Sequence, residues 1–325
     1  MTLIAKTYYF LPASFHEQSY DIIACALIAA DSIIIRRKRF TLIFPTNLPM
    51  LDIVNKLFSD LPGGSLKVLQ ITDPHLFSAP EGTLKGVNTR LSLLNLLDET
   101  MQYRQLDLII ATGDLVHDAS REGYLVFANM LEKFGIPVCC LPGNHDNSET
   151  LKSSLADGLV SYQDSFKLDD WNFIFLDSTI ENSASGELAT DQLDMLEHSL
   201  AEHPNSHNMI CLHHNPVPVN SDWLDGMMIK NATDFFDIID RNKQVKAVVW
   251  GHVHQEFDQT RNDVRLLATP STCIQFGPMD RTFSLDMKPA GCRWMALQPN
   301  GDIRTAVTRL KYLPDGLDNT NNNYD

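Results

Sequence analysis

The stretch CCLPGNHDNS, residues 139–148, joins an apolar run of strand length to a tight polar turn. The run ends in Pro-Gly, and Asn144, His145 and Asp146 then follow in direct succession. Three different polar side chains on one turn suit three different tasks: binding a ligand, doing chemistry, and holding the other two in place. A buried strand followed at once by polar groups is the arrangement of an α/β fold with its functional groups at strand ends.

The same order repeats along the chain from about residue 65. Eight apolar, β-branched runs are typical of buried strands: LKVLQIT, LDLIIAT, IPVCCL, NFIFLD, NMICLH, VKAVVW, VRLLAT and CRWMAL. Four helical patterns lie among them: NTRLSLLNLLDETMQY, SREGYLVFANMLEKFG, TDQLDMLEHSLAEH and NATDFFDIIDRN. In the second helix, Ser120 is the predicted N-cap and Gly135 the predicted stop. This order predicts a layered α/β fold with sheets in the middle and helices outside.

The composition limits the class of partner. The 325 residues are 44% hydrophobic and carry a net charge of −15, so phosphates of nucleic acid or of an anionic membrane would repel the chain. The six cysteines show no metal-type spacing, and the adjacent Cys139 and Cys140 indicate core thiols in a reducing compartment. The N-terminus has no pattern of a secretory signal, and we therefore predict a cytoplasmic protein.

Three segments are predicted. Residues 1–49 do not show the alternation of apolar runs and helical patterns seen from residue 65 onward. Their apolar stretch is interrupted by Asp31, so each apolar run is shorter than the roughly 20 residues of a membrane span. One hypothesis is that the natural chain starts at Met50 and that 1–49 is a misassigned extension; the alternative is a peripheral or anchoring role. Residues 50–312 form the predicted main domain, and the Asn- and Asp-rich residues 313–325 a disordered tail.

Five polar clusters follow the apolar runs directly. They are TDPHLF with Asp73 and His75, TGDLVHD with Asp114, PGNHDN with Asn144, His145 and Asp146, LHHNP with His213 and His214, and WGHVHQ with His252 and His254. Because the carboxyl ends of neighbouring strands converge on one crevice, residues far apart in sequence can meet there. Carboxylate, imidazole and amide ligands suit Mn, Fe or Zn.

Spacing within the clusters suits one metal ion or two. Side chains two positions apart on an extended strand end point to the same side, so Asp73 and His75 can chelate one ion. His252 and His254 face the same way, but each could reach a different ion if two lay about 3.5–4 Å apart.

Each cluster alone has an ordinary explanation. A lone Asp-x-His is usually a surface pair, Gly-Asp is usually turn chemistry, and GNHD can be a turn with a helix N-cap. Coincidence is a poor explanation for five clusters in order, each at a strand end. The other histidines show no such pattern and are predicted to be solvated: His16, His117, His198, His203 and His207.

The series Asp73-x-His75, Gly113-Asp114, Gly143-Asn144-His145-Asp146, His213 and Gly251-His252-x-His254 resembles the calcineurin-like binuclear metallophosphoesterases, over roughly residues 66–312. Within that superfamily, VLQITDPHLF, LHHNPVPVNSDWLD and the segment from WGHVHQ to CIQF look like the bacterial class III cyclic-AMP phosphodiesterases. The resemblance implies a four-layer α/β/β/α sandwich and two divalent metal ions, which could be Fe, Mn or Zn.

The resemblance also implies a role for each matching residue. Asp73, His75, Asp114 and His254 would hold the first ion, and Asp114, Asn144, His213 and His252 the second, with Asp114 bridging. His213 is assigned over His214 because the family ligand stands three positions ahead of the proline. His145 would steady a phosphoryl oxygen and protonate the leaving alkoxide, while Asp146 would hydrogen-bond His145. His75, Asn144 and His145 are expected to face the substrate.

The implied reaction is hydrolysis of 3′,5′-cyclic AMP to 5′-AMP by a hydroxide that bridges the two ions. Two divalent ions outweigh two carboxylates and a hydroxide, which explains how an acidic protein can attract an anionic diester. One alternative is a broader phosphodiesterase acting on glycerophosphodiesters or other cyclic nucleotides. Another is a non-catalytic scaffold, which would be expected to lack ligands that are all present here. A small cyclic nucleotide is the predicted partner, without nucleic acid or membrane, and the oligomeric state is open.

Overall fold

The computed structural model describes residues 28–29, 32–33, 49–103 and 105–320. The chain divides into two units, Met1–Thr46 and Asn47–Asp325. In the first unit, strands β1 (Ile28–Ala29) and β2 (Ser32–Ile33) pair antiparallel. The rest of the predicted extension and the end of the predicted tail, 321–325, lie outside the described residues.

The described part of the second unit contains helices interspersed with strands and ends in a run of strands. The helices are α1 (Pro49–Leu57), α2 (Thr89–Thr100), α3 (Arg121–Glu132), α4 (Ser148–Ser154), α5 (Thr190–Glu202), α6 (Asp222–Asp225) and α7 (Ala232–Arg241). The strands before α5 are β3 (Leu66–Ile71), β4 (Thr83–Leu84), β5 (Val87–Asn88), β6 (Leu108–Thr112), β7 (Val138–Leu141), β8 (Val160–Tyr162), β9 (Ser165–Leu168) and β10 (Trp171–Phe175). Those after it are β11 (His207–Cys211), β12 (Val245–Trp250), β13 (Phe257–Arg261), β14 (Val264–Ala268), β15 (Gln275–Phe276), β16 (Leu285–Asp286), β17 (Gly291–Leu297) and β18 (Ile303–Arg309).

Two six-stranded sheets carry the fold. The first has the order β18-β17-β3-β6-β7-β8, in which β3, β6, β7 and β8 run parallel. The second has the order β13-β14-β12-β11-β10-β9, in which β14, β12, β11 and β10 run parallel. All eight predicted apolar runs are strands of these sheets, and the four predicted helices are α2, α3, α5 and α7. The predicted α/β class is confirmed.

Three apolar clusters show how the layers pack. One lies between the sheets and joins Val68 of the first sheet with Met209 of the second. A second joins Leu69 on the other face of β3 with Phe127 of α3, because neighbouring strand residues point to opposite faces. The third joins Ile210 of β11 with α5 and α7. Apolar clusters therefore lie between the two sheets and between each sheet and its helices, and the four-layer α/β/β/α sandwich stays a prediction.

The predictions for the ends of α3 and for the adjacent cysteines also match the structure. Ser120 Oγ accepts a hydrogen bond from Gly123 N at the start of α3, as predicted for an N-cap. Past the end of that helix, Gly135 has a φ of 68°, a left-handed conformation that glycine adopts without strain. Cys139 and Cys140 are buried and free, which confirms them as core thiols. Among the described residues, no helix has both the length and the apolar character needed to cross a bilayer.

Part of the predicted tail packs on the main unit. Asp318 N donates to Lys85 O over 2.9 Å, and Leu317 contacts the cluster beside the second sheet. Gly316 lies so close to Gly86 that a side chain on Gly86 would meet the Gly316 carbonyl at 2.2 Å. The disordered tail expected from residue 313 therefore differs from the structure over residues 313–320, since Leu317 has apolar surface to bury.

Candidate metal centre and active site

The predicted ligands lie just past the carboxyl ends of parallel strands. Asp73 follows β3 and Asp114 follows β6, while Asn144 follows β7. From the second sheet, His213 follows β11, and His252 and His254 follow β12. The described structure brings these residues together, as the convergence of strand ends predicts.

Left-handed backbone is concentrated at these positions. Five proposed ligands have positive φ: Asp73 (51°), His75 (45°), Asp114 (51°), His252 (63°) and His254 (49°). Such conformations are uncommon for residues with a Cβ, and each costs about 1–3 kcal/mol unless the surroundings enforce it. The sheets enforce it here, since Asp73 N bonds to Gly113 O and His75 N to Asp114 O. The backbone strain lies where the side chains converge.

Two glycines allow the strand ends to approach closely. A Cβ on Gly251 would meet Thr72 Oγ1 at 2.1 Å and Thr112 O at 2.7 Å. A Cβ on Gly143 would meet Asp114 N at 2.4 Å. No side chain fits at either position without moving the backbone, so the glycines of the GNHD and GHVH motifs are needed for packing.

The first ligand group contains Asp73, His75 and His254. His254 Nε2 lies 3.2 Å from Asp73 Oδ1, and the Nε2 atoms of His75 and His254 are 3.3 Å apart. Asp114 Oδ2 approaches the same group, 3.7 Å from His75 Nε2. All four residues are buried.

The second group contains Asp114, Asn144, His213 and His252. His213 Nε2 lies 3.3 Å from Asp114 Oδ2 and 3.1 Å from Asn144 Oδ1. His252 Nδ1 is 3.0 Å from the same Asn144 oxygen. Asp114 thus belongs to both groups through one oxygen, while its Oδ1 accepts a hydrogen bond from His145 N.

Backbone carbonyls orient two of the imidazoles. His213 Nδ1 lies 2.9 Å from Thr112 O, and His254 Nδ1 lies 2.8 Å from Ile274 O. A carbonyl only accepts, so each Nδ1 carries a proton and each Nε2 is directed to the centre. His213 Nε2 then faces Asp114 Oδ2 and Asn144 Oδ1, which are acceptors too. Acceptors crowded in this way fit a divalent cation held among them.

The pKa values of the proposed ligands also indicate that the centre favours a positive charge. Burial lowers the pKa of His213, but the charge of Asp114 outweighs it and raises that pKa to about 9. Burial raises the pKa of Asp114, yet His213 and His145 hold it well below its usual range. Burial lowers the pKa of His75 and of His252 well below the ordinary value, so both rings are neutral at neutral pH. Metal binds neutral imidazole and ionised carboxylate, so an ion held by His213 would take the place of the proton that this ring carries without metal.

Asp146 fastens the turn that carries Asn144 and His145. Its carboxylate accepts four hydrogen bonds, from Leu115 N, Val116 N, Gly143 N and Tyr124 Oη. Burial, followed by the charge of Asp114, raises the pKa of Asp146 to about 7. These contacts tie the loop after β6 to the turn after β7. The hydrogen bond expected between the side chains of Asp146 and His145 stays a prediction.

His117 was expected to be solvated, and that expectation is wrong. Its Nδ1 lies 3.2 Å from His75 Nδ1, and its ring stacks on His145 with centroids 4.5 Å apart. The signal was present in TGDLVHD, where His117 comes three residues after Asp114 and so stays at the same strand end. His198 is exposed beside Glu202, as expected. His207 is only half-buried, and its Nε2 lies 2.9 Å from Pro299 O.

His214 and Tyr124 lie beside the two ligand groups and form hydrogen bonds with residues around them. His214 is buried, its Nδ1 lies 2.8 Å from Ser178 Oγ, and burial lowers its pKa to about 3. His213 contacts Asp114 and Asn144, and its assignment as a ligand in place of His214 stays a prediction. Tyr124 Oη accepts from Asn147 N while donating to Asp146, a role that no motif announced.

Two cavities meet at Asn144 and His145. One, of about 420 Å³, is bounded by aromatic residues that sequence analysis did not single out: Trp223, Phe276 and Phe283. The other, of about 540 Å³, is bounded by polar residues that include Ser148 and Thr179. The site therefore has an apolar side and a polar side.

Comparison with known proteins agrees with this geometry. The family model described as calcineurin-like phosphoesterase matches residues 66–256. The chain is 39% identical over 248 residues to the 3′,5′-cyclic adenosine monophosphate phosphodiesterase CpdA of Haemophilus influenzae, covering 76% of this chain and 90% of that protein. It is likewise 39% identical over 255 residues to the protein of the same name from Escherichia coli, covering 77% and 93%.

Solved structures show the same fold at low identity. A dimetal phosphatase from Danio rerio aligns with a TM-score of 0.50 at 13% identity, over 75% of this chain and 98% of that one. A purple acid phosphatase from yellow lupin (Lupinus luteus) also gives 0.50, at 12% identity, over 76% of this chain and 54% of that one. From the matched family model and these relatives, the chain belongs to the calcineurin-like phosphoesterase family.

Proposed function

We propose that this protein is a metal-dependent phosphodiesterase that hydrolyses 3′,5′-cyclic AMP to 5′-AMP. The observation that carries the proposal is the pair of acceptor-rich groups that share Asp114 directly beside His145. Relatives at 34–39% identity bear the name of cyclic AMP phosphodiesterase, which supports the substrate. The partner is a small cyclic nucleotide; the net charge of −15 disfavours nucleic acid or an anionic membrane, and we expect a cytoplasmic location.

Two divalent ions, for which Fe, Mn and Zn are all suitable, would be held by the two groups. Asp73, His75 and His254 would bind one, and Asn144, His213 and His252 the other, with Asp114 shared. When bound, such ions supply an activated water and neutralise charge on the phosphoryl oxygens.

His145 is the residue we assign to proton transfer. It is half-buried, lines both cavities, and its ring lies 5.0 Å from that of the proposed ligand His75. A ribose oxygen leaves poorly as an alkoxide, so a proton delivered by an imidazole at the cavity wall lowers the barrier to bond cleavage. His75, Asn144 and His145 would together face the phosphodiester. Asp146 acts through the turn, because its four hydrogen bonds fix the backbone on which His145 stands.

The test is steady-state hydrolysis of cyclic AMP, cyclic GMP and bis(p-nitrophenyl) phosphate by protein stripped of metal and then reloaded with Mn or Fe. We expect efficient cleavage of cyclic AMP that depends on added metal. Comparable rates on both cyclic nucleotides would favour a broader enzyme, like the relative from Nostoc named 3′,5′-cyclic-nucleotide phosphodiesterase. Turnover of the synthetic diester alone would contradict cyclic AMP as the substrate but would not contradict the proposed metal centre.

A further inference from the structure

The cavity of about 420 Å³ leads from the proposed metal centre to three aromatic side chains, Trp223, Phe276 and Phe283, which we call the aromatic wall. We propose that the aromatic wall is the subsite that binds the purine base of the cyclic nucleotide, and that Trp223 is its main determinant. The inference rests on the proposed function and deepens it, because the metal centre recognises the phosphodiester and leaves the base unrecognised.

The three rings hold one another in place. Trp223 packs edge-to-face on Phe276, with centroids 5.1 Å apart, and on Phe283, at 5.5 Å. Phe276 and Phe283 are themselves 5.7 Å apart at 74°. Edge-to-face contacts are the favoured geometry for aromatic pairs, so the wall is a rigid surface before any ligand arrives.

The aromatic wall is continuous with the metal centre. The Phe276 ring stacks on that of His254, with centroids 3.8 Å apart and planes at 10°. In a 3′,5′-cyclic nucleotide the ribose separates the phosphate from the base, so a base subsite must adjoin the phosphate site without overlapping it. The cavity meets this requirement, since Asn144 and His145 bound it together with Trp223. Its volume falls within the range of about 300–1,000 Å³ found for small-molecule pockets.

The second cavity is unsuited to a base. Its boundary shares Asn144 and His145 with the first, but it adds Ser148, Glu149 and Glu181 and no aromatic residue other than histidine. Carboxylates there disfavour a further phosphate, so a linear nucleotide chain could not continue in that direction without repulsion. The base is therefore assigned to the aromatic side, and the polar side is left to solvent.

The test compares substrates that differ only in the base. Full-length protein reloaded with Mn would be assayed on cyclic AMP and on a base-free ribose 3′,5′-cyclic phosphate, as wild type, Trp223→Ala, Trp223→Phe and Tyr312→Ala. Because base–aromatic stacking is strong, Trp223→Ala should raise KM for cyclic AMP and lower kcat/KM by about 10-fold or more. The base-free ester should change by less than about twofold. Trp223→Phe should recover most of the loss.

Tyr312 is 70% exposed and does not border the cavity, so Tyr312→Ala is the matched control and should behave as wild type. An equal loss on both substrates for Trp223→Ala would overturn the proposal, because it would show damage to the fold or the metal centre. An unchanged KM for cyclic AMP would also overturn it, because the base would then bind elsewhere.

Binding separates this proposal from the proposed function. Titration calorimetry of metal-loaded protein with 5′-AMP and with ribose 5-phosphate measures the contribution of the base without turnover. Tighter binding of 5′-AMP that is lost in Trp223→Ala supports the aromatic wall even if cyclic AMP is not hydrolysed. Equal affinity for the two ligands in wild type would contradict it, whatever the enzyme cleaves.

Discussion

Asp114 contacts residues of both proposed ligand groups and also the backbone of His145. One of its oxygens approaches both His75 and His213, and the other accepts from the backbone N–H of His145. A single change at this residue therefore affects two ligand groups and the position of the proposed acid. Removing the negative charge of Asp114 also removes the interaction that raises the pKa of His213.

We predict that Asp114→Asn loses both metals. The expected result is less than about half of one ion per chain by elemental analysis, because a bridging carboxylate serves both ions. Asp52→Asn, at an exposed position on α1, is the control and should keep the wild-type content. Two tightly bound ions in Asp114→Asn would refute the bridging role.

His145→Ala should separate chemistry from metal binding. A positioned general acid typically contributes about 10²–10⁴-fold, so kcat for cyclic AMP should fall by that order while metal content is unchanged. Elemental analysis and steady-state kinetics on the same preparation make the comparison. Loss of metal along with activity would make His145 a structural residue.

The metal-free protein should lose stability as pH rises from about 6.5 to 9. His213 has a folded pKa of about 9, above the ordinary 6.5, so its protonated form stabilises the fold below pH 6.5 and this contribution disappears as pH passes the folded pKa. A shift of this size corresponds to about 3 kcal/mol. Denaturant unfolding in chelator at several pH values measures it. His213→Gln should flatten the curve in this window, and an unchanged slope would contradict the assignment.

At the scale of the elements, the site depends on how strands end. The chain turns through left-handed conformations directly after β3, β6 and β12, and glycines let these turns touch. Residues that follow a strand are thereby turned toward the neighbouring sheet rather than along their own strand.

Gly251→Ala tests this packing. The new methyl would meet Thr72 Oγ1 and the Thr112 carbonyl, and displacing backbone in a packed core costs about 1–3 kcal/mol. We expect a lower free energy of unfolding and weaker metal binding. Gly63→Ala, where nothing lies within 4 Å of the new methyl, is the control and should match wild type in both. Equal stability of the two variants would show that the strand ends are not tightly packed.

Buried strands were predictable because both faces are covered, so their sequences are continuous apolar runs. The edge strands were not, since half-exposed residues such as those of IRTAVTR in β18 show no such run. Motif residues were predictable for a related reason, as they follow those runs directly. Trp223 could not be found in this way, because it belongs to the four-residue helix α6, outside the strand-end motifs, and lies beside the centre through tertiary packing.

At the scale of the whole molecule, the second unit has a complete core of its own. Met50 and Val54 of α1 are buried in the cluster beside the first sheet, so this helix belongs to the core of the second unit. A chain starting at Asn47 should therefore fold and keep kcat/KM for cyclic AMP within about twofold of the full chain. Thermal unfolding and kinetics of both chains provide the measurement. A large drop in either would give residues 1–46 a role in the active protein.

The convergence of ligands from both sheets has a mechanical consequence. Each ion would be held by residues that follow strands of the first sheet together with histidines that follow strands of the second, and His75 and His254 lie 179 residues apart in the chain. A centre with its metal ions bound would thus link the two sheets across the interface between them. Under tension applied to the two sheets, the loaded protein should yield in a single rupture at high force. With the ions removed, the sheets should part at lower force, because the apolar contacts between them and hydrogen bonds such as that from Arg293 to Ala268 O would then carry the load.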